Sequence, residues 1–178
     1  MKLKRFLLFF CIPVIGIGMT SCLGGNNEND YSQWRIENTK YIENAEIEMV
    51  DGHLRYEKIV PAWDKSIYAL MEWHNDRNAT LSQLTPLSNS TIDVKYVLRN
   101  IEGDTLDSSA SYRLKPNQMI TGFWTAVTHM HVGDSVTAIM PYSAGYGEYS
   151  SGKVLPYSTL IFDIRLDSIV AYEKPSWR

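Results

Sequence analysis

The sequence predicts an α+β domain in which four or five antiparallel strands cover one short helix. Apolar and polar residues alternate over residues 92–99, 135–140 and 159–169, which is the pattern of half-buried strands. Between the first two of these lies an apolar segment, residues 118–133, in which positions 121–127 have the spacing of two helical turns. A helix this short and this apolar is expected to pack against a sheet.

One side of this helix carries Phe123, Ala126, Val127 and Met130, at i, i+3, i+4 and i+7. Taken alone, the stripe indicates an ordinary core helix, because burial is the usual fate of such residues. The motifs on either side of it favour a further role.

The rest of the chain supplies a second helix and two weaker strands. Trp34, Ile42 and Ala45 fall on one side of a helical pattern that runs from residue 31 to about residue 47. The remaining assignments, in chain order, are a turn at Asp51-Gly52, strands at residues 53–60 and 66–73, a polar loop at 74–89, and a loop rich in Gly, Ser and Tyr at 142–156.

Residues 1–21 have the features of an export signal. Three basic residues precede an apolar run that is too short to span a bilayer comfortably, and small residues follow. The positions Met19-Thr20-Ser21-Cys22 resemble a bacterial lipobox, in which the thiol of Cys22 is acylated and becomes the new N-terminus. The alternative is a plain signal peptide with an incidental cysteine. With lipidation we expect a protein anchored in the cell envelope, at the outer membrane, on its periplasmic or surface face.

The processed chain is acidic and has no pair of cysteines. Loss of the three basic residues with residues 1–21 takes the formal net charge from −3 to −6, which argues against nucleic acid as a partner. The only two cysteines are Cys11, inside the signal, and Cys22, so no disulfide is expected. Residues 22–30 have little to bury and are expected to form a flexible tether.

The sequence gives no support for a metal site or a hydrolase. His129 and His131 are two positions apart, a spacing that does not share a helical face, and no third ligand is apparent. The segment at residues 143–147 lacks the glycine that a nucleophile elbow places two residues before its serine. We therefore expect no metal and no other cofactor.

A series of short motifs in the second half resembles the FKBP-type peptidyl-prolyl cis-trans isomerases in both order and spacing. In chain order they are Val94-Lys95-Tyr96, residues 103–109, Met119-Ile120-Thr121-Gly122-Phe123, residues 130–133, Tyr146-Gly147 and residues 156–163. The N-terminal helix and residues 56–73 are similar to the lead-in of lipoprotein members from Bacteroidetes-like bacteria. On this basis we expect an N-terminal helix and strand extension at 31–90, an FKBP-like domain at 91–170 and a tail at 171–178.

The resemblance implies a twisted antiparallel sheet wrapped around the helix at 121–127, with a shallow apolar pocket between them. Asp107 occupies the position of the family's pocket carboxylate and would hold Tyr96, while the Ile120 N–H and the Tyr146 hydroxyl would donate to the substrate backbone. These four are the implied catalytic residues. The implied substrate-binding residues are Leu106, Met119, Phe123 as the floor, Val154, Leu155 and Phe162. Alternatively, Tyr146 packs for area alone and Asp107 caps the turn that follows it.

Three departures from the family pattern bear on activity. Leu106 replaces an aromatic residue, Leu155 stands where a second proline is common, and residues 108–118 are short enough that the aromatic residue of this flap is expected to be missing. The sequence therefore leaves two functions open. One is an isomerase for proline-containing envelope or secreted polypeptides, and the other is a low-activity binding module that acts as a chaperone for extended or proline-containing segments.

Overall fold

The computed structural model describes residues 30–172, which form two helices and eight strands. The helices are α1 (Ser32–Ile47) and α2 (Thr121–Val127). The strands are β1 (Met49–Val50), β2 (His53–Leu54), β3 (Glu57–Ile59), β4 (Ala69–Trp73), β5 (Thr91–Arg99), β6 (Thr105–Leu114), β7 (Ser135–Met140) and β8 (Leu160–Ala171). The predicted signal peptide, Cys22 and nearly all of the predicted tether lie outside the described residues, as does most of the tail.

Six strands form the main sheet, in the order β3-β4-β7-β8-β5-β6, and every neighbouring pair is antiparallel. The α+β prediction is confirmed, but the expected count of four or five strands is too low. Sequence analysis did not identify β6 as a strand, because most of its side chains are exposed and apolar residues do not alternate along it. It lies at the edge of the sheet and is held by its pairing with β5.

The predicted strand at 53–60 is also wrong in detail, since it divides into β2 and β3. Asp51 and Gly52 both have positive φ, 51° and 82°, and they close a two-residue hairpin between β1 and β2. After Arg55 and Tyr56 the chain joins the main sheet, where β3 pairs with β4.

The alternation of side chains along β4 and β7 places the two helices on opposite faces of the sheet. Ala69 and Met71 belong to the large core around α2, whereas Leu70 between them belongs to a smaller cluster with Ile42 and Ala45 of α1. The larger core also takes in Phe123 of α2. Thus α2 lies against one face of the sheet and α1 against the other.

Strands from the N-terminal region share the sheet with strands from the second half. β4 pairs directly with β7, for example Leu70 with Ile139. The residues expected to form an extension and those expected to form the isomerase domain therefore contribute strands to the same sheet. Among residues 30–172, no helix is long and apolar enough to cross a membrane.

Candidate active site

The N-terminus of α2 is held tightly against the segment that follows β7. A Cβ at Gly122 would lie 2.5 Å from the Met140 sulfur and 3.1 Å from the Ala144 carbonyl oxygen, so only glycine permits this approach. The Thr121 hydroxyl donates to the same Ala144 carbonyl over 3.1 Å. The connection between β7 and β8 is called the 142–159 loop below. The helix and the start of this loop are thereby fixed to each other.

Four aromatic rings meet where α2 approaches β5, β6 and β8. Phe123 and Phe162 pack edge to face at 5.2 Å between ring centroids. Tyr96 lies 6.4 Å from Phe123 and 6.1 Å from Phe162, and Tyr112 meets Tyr96 edge-on at 5.9 Å. Such geometries favour aromatic pairs beyond their contribution to burial.

Tyr112 corrects the expectation that the flap has no aromatic residue. It lies near the end of β6, opposite Val94 of β5, with its ring at the edge of Tyr96. Its presence could be read from the sequence, but its position could not, because residues 105–114 were not recognised as a strand that returns beside β5.

Asp107 accepts a hydrogen bond from the Tyr96 hydroxyl over 2.7 Å. Its other oxygen accepts from the Ser108 N–H over 2.8 Å. The bond to Tyr96 and the contact with the following turn, which were predicted as alternatives, therefore occur together. Burial of the ring and the bond to Asp107 raise the pKa of Tyr96. The Tyr96 hydroxyl therefore keeps its proton and remains a donor at neutral pH.

Beside this pair lies an open cleft of about 310 Å³. Four of the residues implicated by sequence line it, namely Leu106, Asp107, Tyr146 and Val154. The cleft is completed by Leu98 and by residues 151–153 of the long loop. Tyr146 is 37% exposed, so part of this residue is accessible to a bound polypeptide.

Phe123 and Phe162 lie beneath the surface of the site. Phe123 has no exposed surface and Phe162 is 3% exposed. Phe123 therefore supports the rings above it, and a ligand would touch it as a floor only after those rings had shifted. This differs from the expected direct contact, because Tyr96 and Phe162 cover the ring.

Met119, Ile120 and Leu155 do not line the cleft. Met119 and Ile120 follow a 3-10 turn at Pro116–Gln118 and pack against the larger core. Ile120 is the residue before α2, and its carbonyl accepts from the Trp124 N–H over 3.0 Å. Its own N–H is outside the ladder of the helix, as expected at a helix start. Leu155 lies on the exposed side of the long loop.

The two histidines considered as metal ligands have protein partners. The His129 ring nitrogen lies 2.7 Å from the Thr125 carbonyl oxygen, and the His131 ring nitrogen lies 3.2 Å from the Arg77 guanidinium. Within residues 30–172, no cluster of three or more acidic, histidine or cysteine side chains could hold a metal.

A buried polar residue of α1, Asn38, also contacts this region and was not predicted as a site residue. Its side-chain oxygen accepts from the backbone N–H of Thr159, at the end of the long loop, over 2.6 Å. A sequence signal existed, since a polar residue falls inside the apolar stripe between Trp34 and Ile42.

Part of the chain is similar to proteins of a known family. Residues 83–167 match the family model described as FKBP-type peptidyl-prolyl cis-trans isomerase. FK506-binding protein 2 of Dictyostelium discoideum is 33% identical over 89 residues, which are 46% of this chain and 67% of that protein. The macrophage infectivity potentiator of Trypanosoma cruzi is 34% identical over 89 residues, 47% of this chain and 45% of the relative. The chain belongs to the FKBP-type peptidyl-prolyl cis-trans isomerase family.

The fold is also shared with a solved structure. A peptidyl-prolyl cis-trans isomerase from Pseudomonas syringae pv. tomato aligns with a TM-score of 0.64 at 18% identity, over 78% of this chain and 95% of that one. At this identity the likeness establishes the architecture alone. The match to the Trypanosoma cruzi protein spans less than half of that relative.

Proposed function

We propose that this protein catalyses cis-trans isomerisation of X-Pro bonds in polypeptides of the cell envelope or in secreted polypeptides. The observation that carries the proposal is the aromatic cluster of Tyr96, Tyr112 and Phe162, joined through the Tyr96–Asp107 hydrogen bond to the cleft. Tyr146 lines the same cleft. Apolar walls with a few directed polar groups are what a proline-binding pocket requires.

The chemistry requires neither a nucleophile nor a cofactor. Rotation about the amide is opposed by a barrier of about 18–20 kcal/mol, which arises from the partial double bond between carbon and nitrogen. A pocket that removes water from the imide and accommodates the twisted geometry better than the planar ones lowers this barrier. No covalent bond forms and no proton is transferred.

Each polar group has a distinct part in this proposal. Asp107 accepts a hydrogen bond from the Tyr96 hydroxyl and so fixes the Tyr96 ring beside the cleft. The hydroxyl of Tyr146 and the N–H of Ile120 donate to substrate carbonyls on either side of the proline. These donors orient the chain, while Leu106 and Val154 exclude water from the imide.

A protease-free isomerisation assay on the full-length chain in detergent tests the proposal. The uncatalysed reaction of a proline tetrapeptide takes about 10–100 s. Addition of the protein should raise the observed rate constant by an amount proportional to the protein concentration. A rate equal to that of the buffer at all protein concentrations would contradict catalysis.

The second candidate is a binding module with little catalysis, and Leu106 is the observation in its favour. Leu106 leaves one wall of the cleft aliphatic where the family has an aromatic residue. The alternative also drew on an expected lack of a flap aromatic residue, and the ring of Tyr112 at the edge of Tyr96 weakens that support. Turnover close to background, together with suppression of aggregation of an unfolded client, would favour the binding module.

We also propose that the protein is a lipoprotein attached to the envelope through Cys22. The support is the sequence alone, a basic start and apolar run followed by Met19-Thr20-Ser21-Cys22. A diacyl group with an amide-linked chain supplies the two or more acyl signals needed for stable attachment. Cys22→Ser should move the protein from the detergent phase to the aqueous phase. Retention of this variant in the membrane fraction at the wild-type level would exclude the anchor.

A further inference from the structure

We propose that α1 is a brace for the 142–159 loop and that Asn38 is a positioning residue for the isomerase site. The inference rests on the proposed function, because it concerns the same cleft. The loop supplies Tyr146 and Val154 to that cleft. By contrast, α1 lies on the opposite face of the sheet from α2 and outside residues 83–167, which match the family model.

The central contact is made by Asn38, which has no exposed surface. Its side-chain oxygen accepts from the Thr159 N–H over 2.6 Å, and its backbone carbonyl accepts from the Thr159 hydroxyl over 3.0 Å. Its amide nitrogen donates to the Trp34 carbonyl over 2.8 Å. Thr159 is also buried, so an Asn38 without its side-chain oxygen would leave a buried N–H unpaired, which is costly.

A second contact reaches further into the loop. The Trp34 indole N–H donates to the Ser158 hydroxyl over 3.2 Å. Ser158 in turn donates to the Leu155 carbonyl over 2.7 Å. One turn of α1 is therefore connected by two hydrogen bonds to Leu155, beside Val154 of the cleft.

The third contact stabilises a residue in an unfavourable backbone conformation. Tyr157 has φ of 60°, the left-handed region that bulky residues rarely adopt. The Arg35 guanidinium lies 4.7 Å from the centre of its ring, and the ring of Tyr142 packs edge-on at 5.5 Å. Backbone strain of this kind persists only where surrounding contacts hold it, and here one of those contacts comes from α1.

These contacts explain why a helix outside the matched residues bears on the site. The loop is tied at its beginning to α2, through Thr121 and Ala144, and at its end to α1, through Asn38 and Thr159. Release of the second attachment would let residues 146–158 move while the sheet and α2 stay in place. Tyr146 and Val154 would then hold a substrate less well.

The test compares Asn38→Ala with Ile42→Ala in the full-length chain. Ile42 belongs to the same helix and packs on the sheet through Leu70 and Ile139, so its truncation weakens α1 without removing a hydrogen bond to the loop. Both variants are assayed well below their unfolding transitions. The readouts are kcat and KM for a proline tetrapeptide, and hydrogen exchange at the amides of Gly147, Val154 and Tyr157. Asn38 does not bond to these amides, which pair within the loop.

We expect Asn38→Ala to lower kcat/KM by about five- to tenfold, mostly through KM, and to speed exchange at the three loop amides by a similar factor. Ile42→Ala should leave both within about twofold of the wild type. Trp34→Phe, which keeps an aromatic ring but removes the N–H, should give a smaller change in the same direction as Asn38→Ala.

Two results would overturn the brace. One is faster hydrogen exchange at the loop amides of Asn38→Ala with unchanged kcat/KM. The other is a loss of kcat/KM in Ile42→Ala as large as that in Asn38→Ala. If the wild type itself does not isomerise the peptide, the proposed function fails, and loop exchange alone decides the matter. Protection of the three amides that is unchanged in Asn38→Ala would then show that α1 does not hold the loop.

Discussion

The two helices lie on opposite faces of one sheet and are held there by different means. α2 has seven residues, five of them buried, and its ring at Phe123 lies at the centre of the larger core. α1 has sixteen residues, of which only Asn38, Ile42 and Ala45 are buried. The short helix is thus held by apolar burial, and the long one by a small apolar cluster combined with specific hydrogen bonds.

This difference separates stability from positioning. Burial is not directional, so the apolar contacts of α2 stabilise the fold without selecting a fine geometry, and the directed contact of this helix with the loop is the hydrogen bond from the Thr121 hydroxyl to the Ala144 carbonyl. Hydrogen bonds to a buried partner require particular distances and angles, and those from α1 end on residues 158 and 159 of the loop. Substitutions in α2 should therefore act chiefly on folding, and substitutions of the polar residues of α1 chiefly on the site.

The largest effect is expected from Phe123→Ala, which tests the part assigned to α2. Removal of a fully buried phenylalanine should lower the free energy of unfolding by about 3–5 kcal/mol, measured by chemical denaturation. Turnover per folded molecule should fall as well, because Tyr96 and Phe162 rest on this ring. A loss of stability with unchanged turnover per folded molecule would show that Phe123 belongs to the core alone.

Ile42→Ala is the corresponding truncation in α1, and a smaller loss is expected. Its cluster has few members and lies at the outer face of the sheet, where the surroundings can relax into the space. The free energy of unfolding should fall by about 2–3 kcal/mol, the lower part of the range for such truncations. A loss as large as that of Phe123→Ala would mean that α1 and α2 contribute equally to stability, although fewer residues of α1 are buried.

The buried polar residues of the two sides should also differ in their response to acid, although α1 carries the partly exposed Glu46, whose pKa, despite partial burial, is lowered by its hydrogen bonds from Tyr68 and Lys58. Asp134 follows α2 and is buried, with hydrogen bonds from the Thr80 hydroxyl at 2.6 Å and from the His131 N–H at 2.8 Å. Burial alone would raise the pKa of Asp134, but these bonds, one from Asn75 and the charge of Arg77 lower it below 3.8. On the side of α1 the corresponding buried polar residue is Asn38, which does not titrate.

A lowered pKa in the folded state means that the ionised form of Asp134 stabilises the protein. That contribution is complete above the unfolded pKa, near 3.8, and is lost as the pH falls through the lower folded value. Asp134→Asn should lower the free energy of unfolding at pH 7 by about 1–3 kcal/mol. It should also reduce the slope of the free energy of unfolding against pH below pH 4. Asp163, whose pKa is likewise lowered, would account for part of the slope that remains in this variant. An unchanged slope, measured by denaturation at a series of pH values, would assign the acid response elsewhere.

The sequence predicted α2 and the apolar strands well, because burial on one face leaves a periodic pattern that can be read directly. It failed at β6, whose exposed residues carry no such pattern, and therefore placed Tyr112 in a shortened flap rather than beside Tyr96. It also missed the part played by Asn38. The partner of Asn38 is Thr159, 121 residues further along the chain, and pairings over that distance depend on the assembled sheet rather than on local spacing.

The smallest effect is expected from Tyr146→Phe, on the loop that both helices hold. The substitution removes one hydroxyl from a side chain that is 37% exposed, so stability should change little. Loss of one hydrogen bond to a bound substrate costs about 0.5–1.5 kcal/mol, which corresponds to a roughly two- to twelvefold lower kcat/KM. Tyr149→Phe, in the same loop and 79% exposed, is the matched control and should not change turnover.

If the protein is chiefly a binding module, wild-type turnover will already be near background, and Tyr146→Phe will weaken only the holding of an unfolded client. An active wild type whose rate is the same in both variants would remove Tyr146 from the site and leave the loop with an apolar role alone.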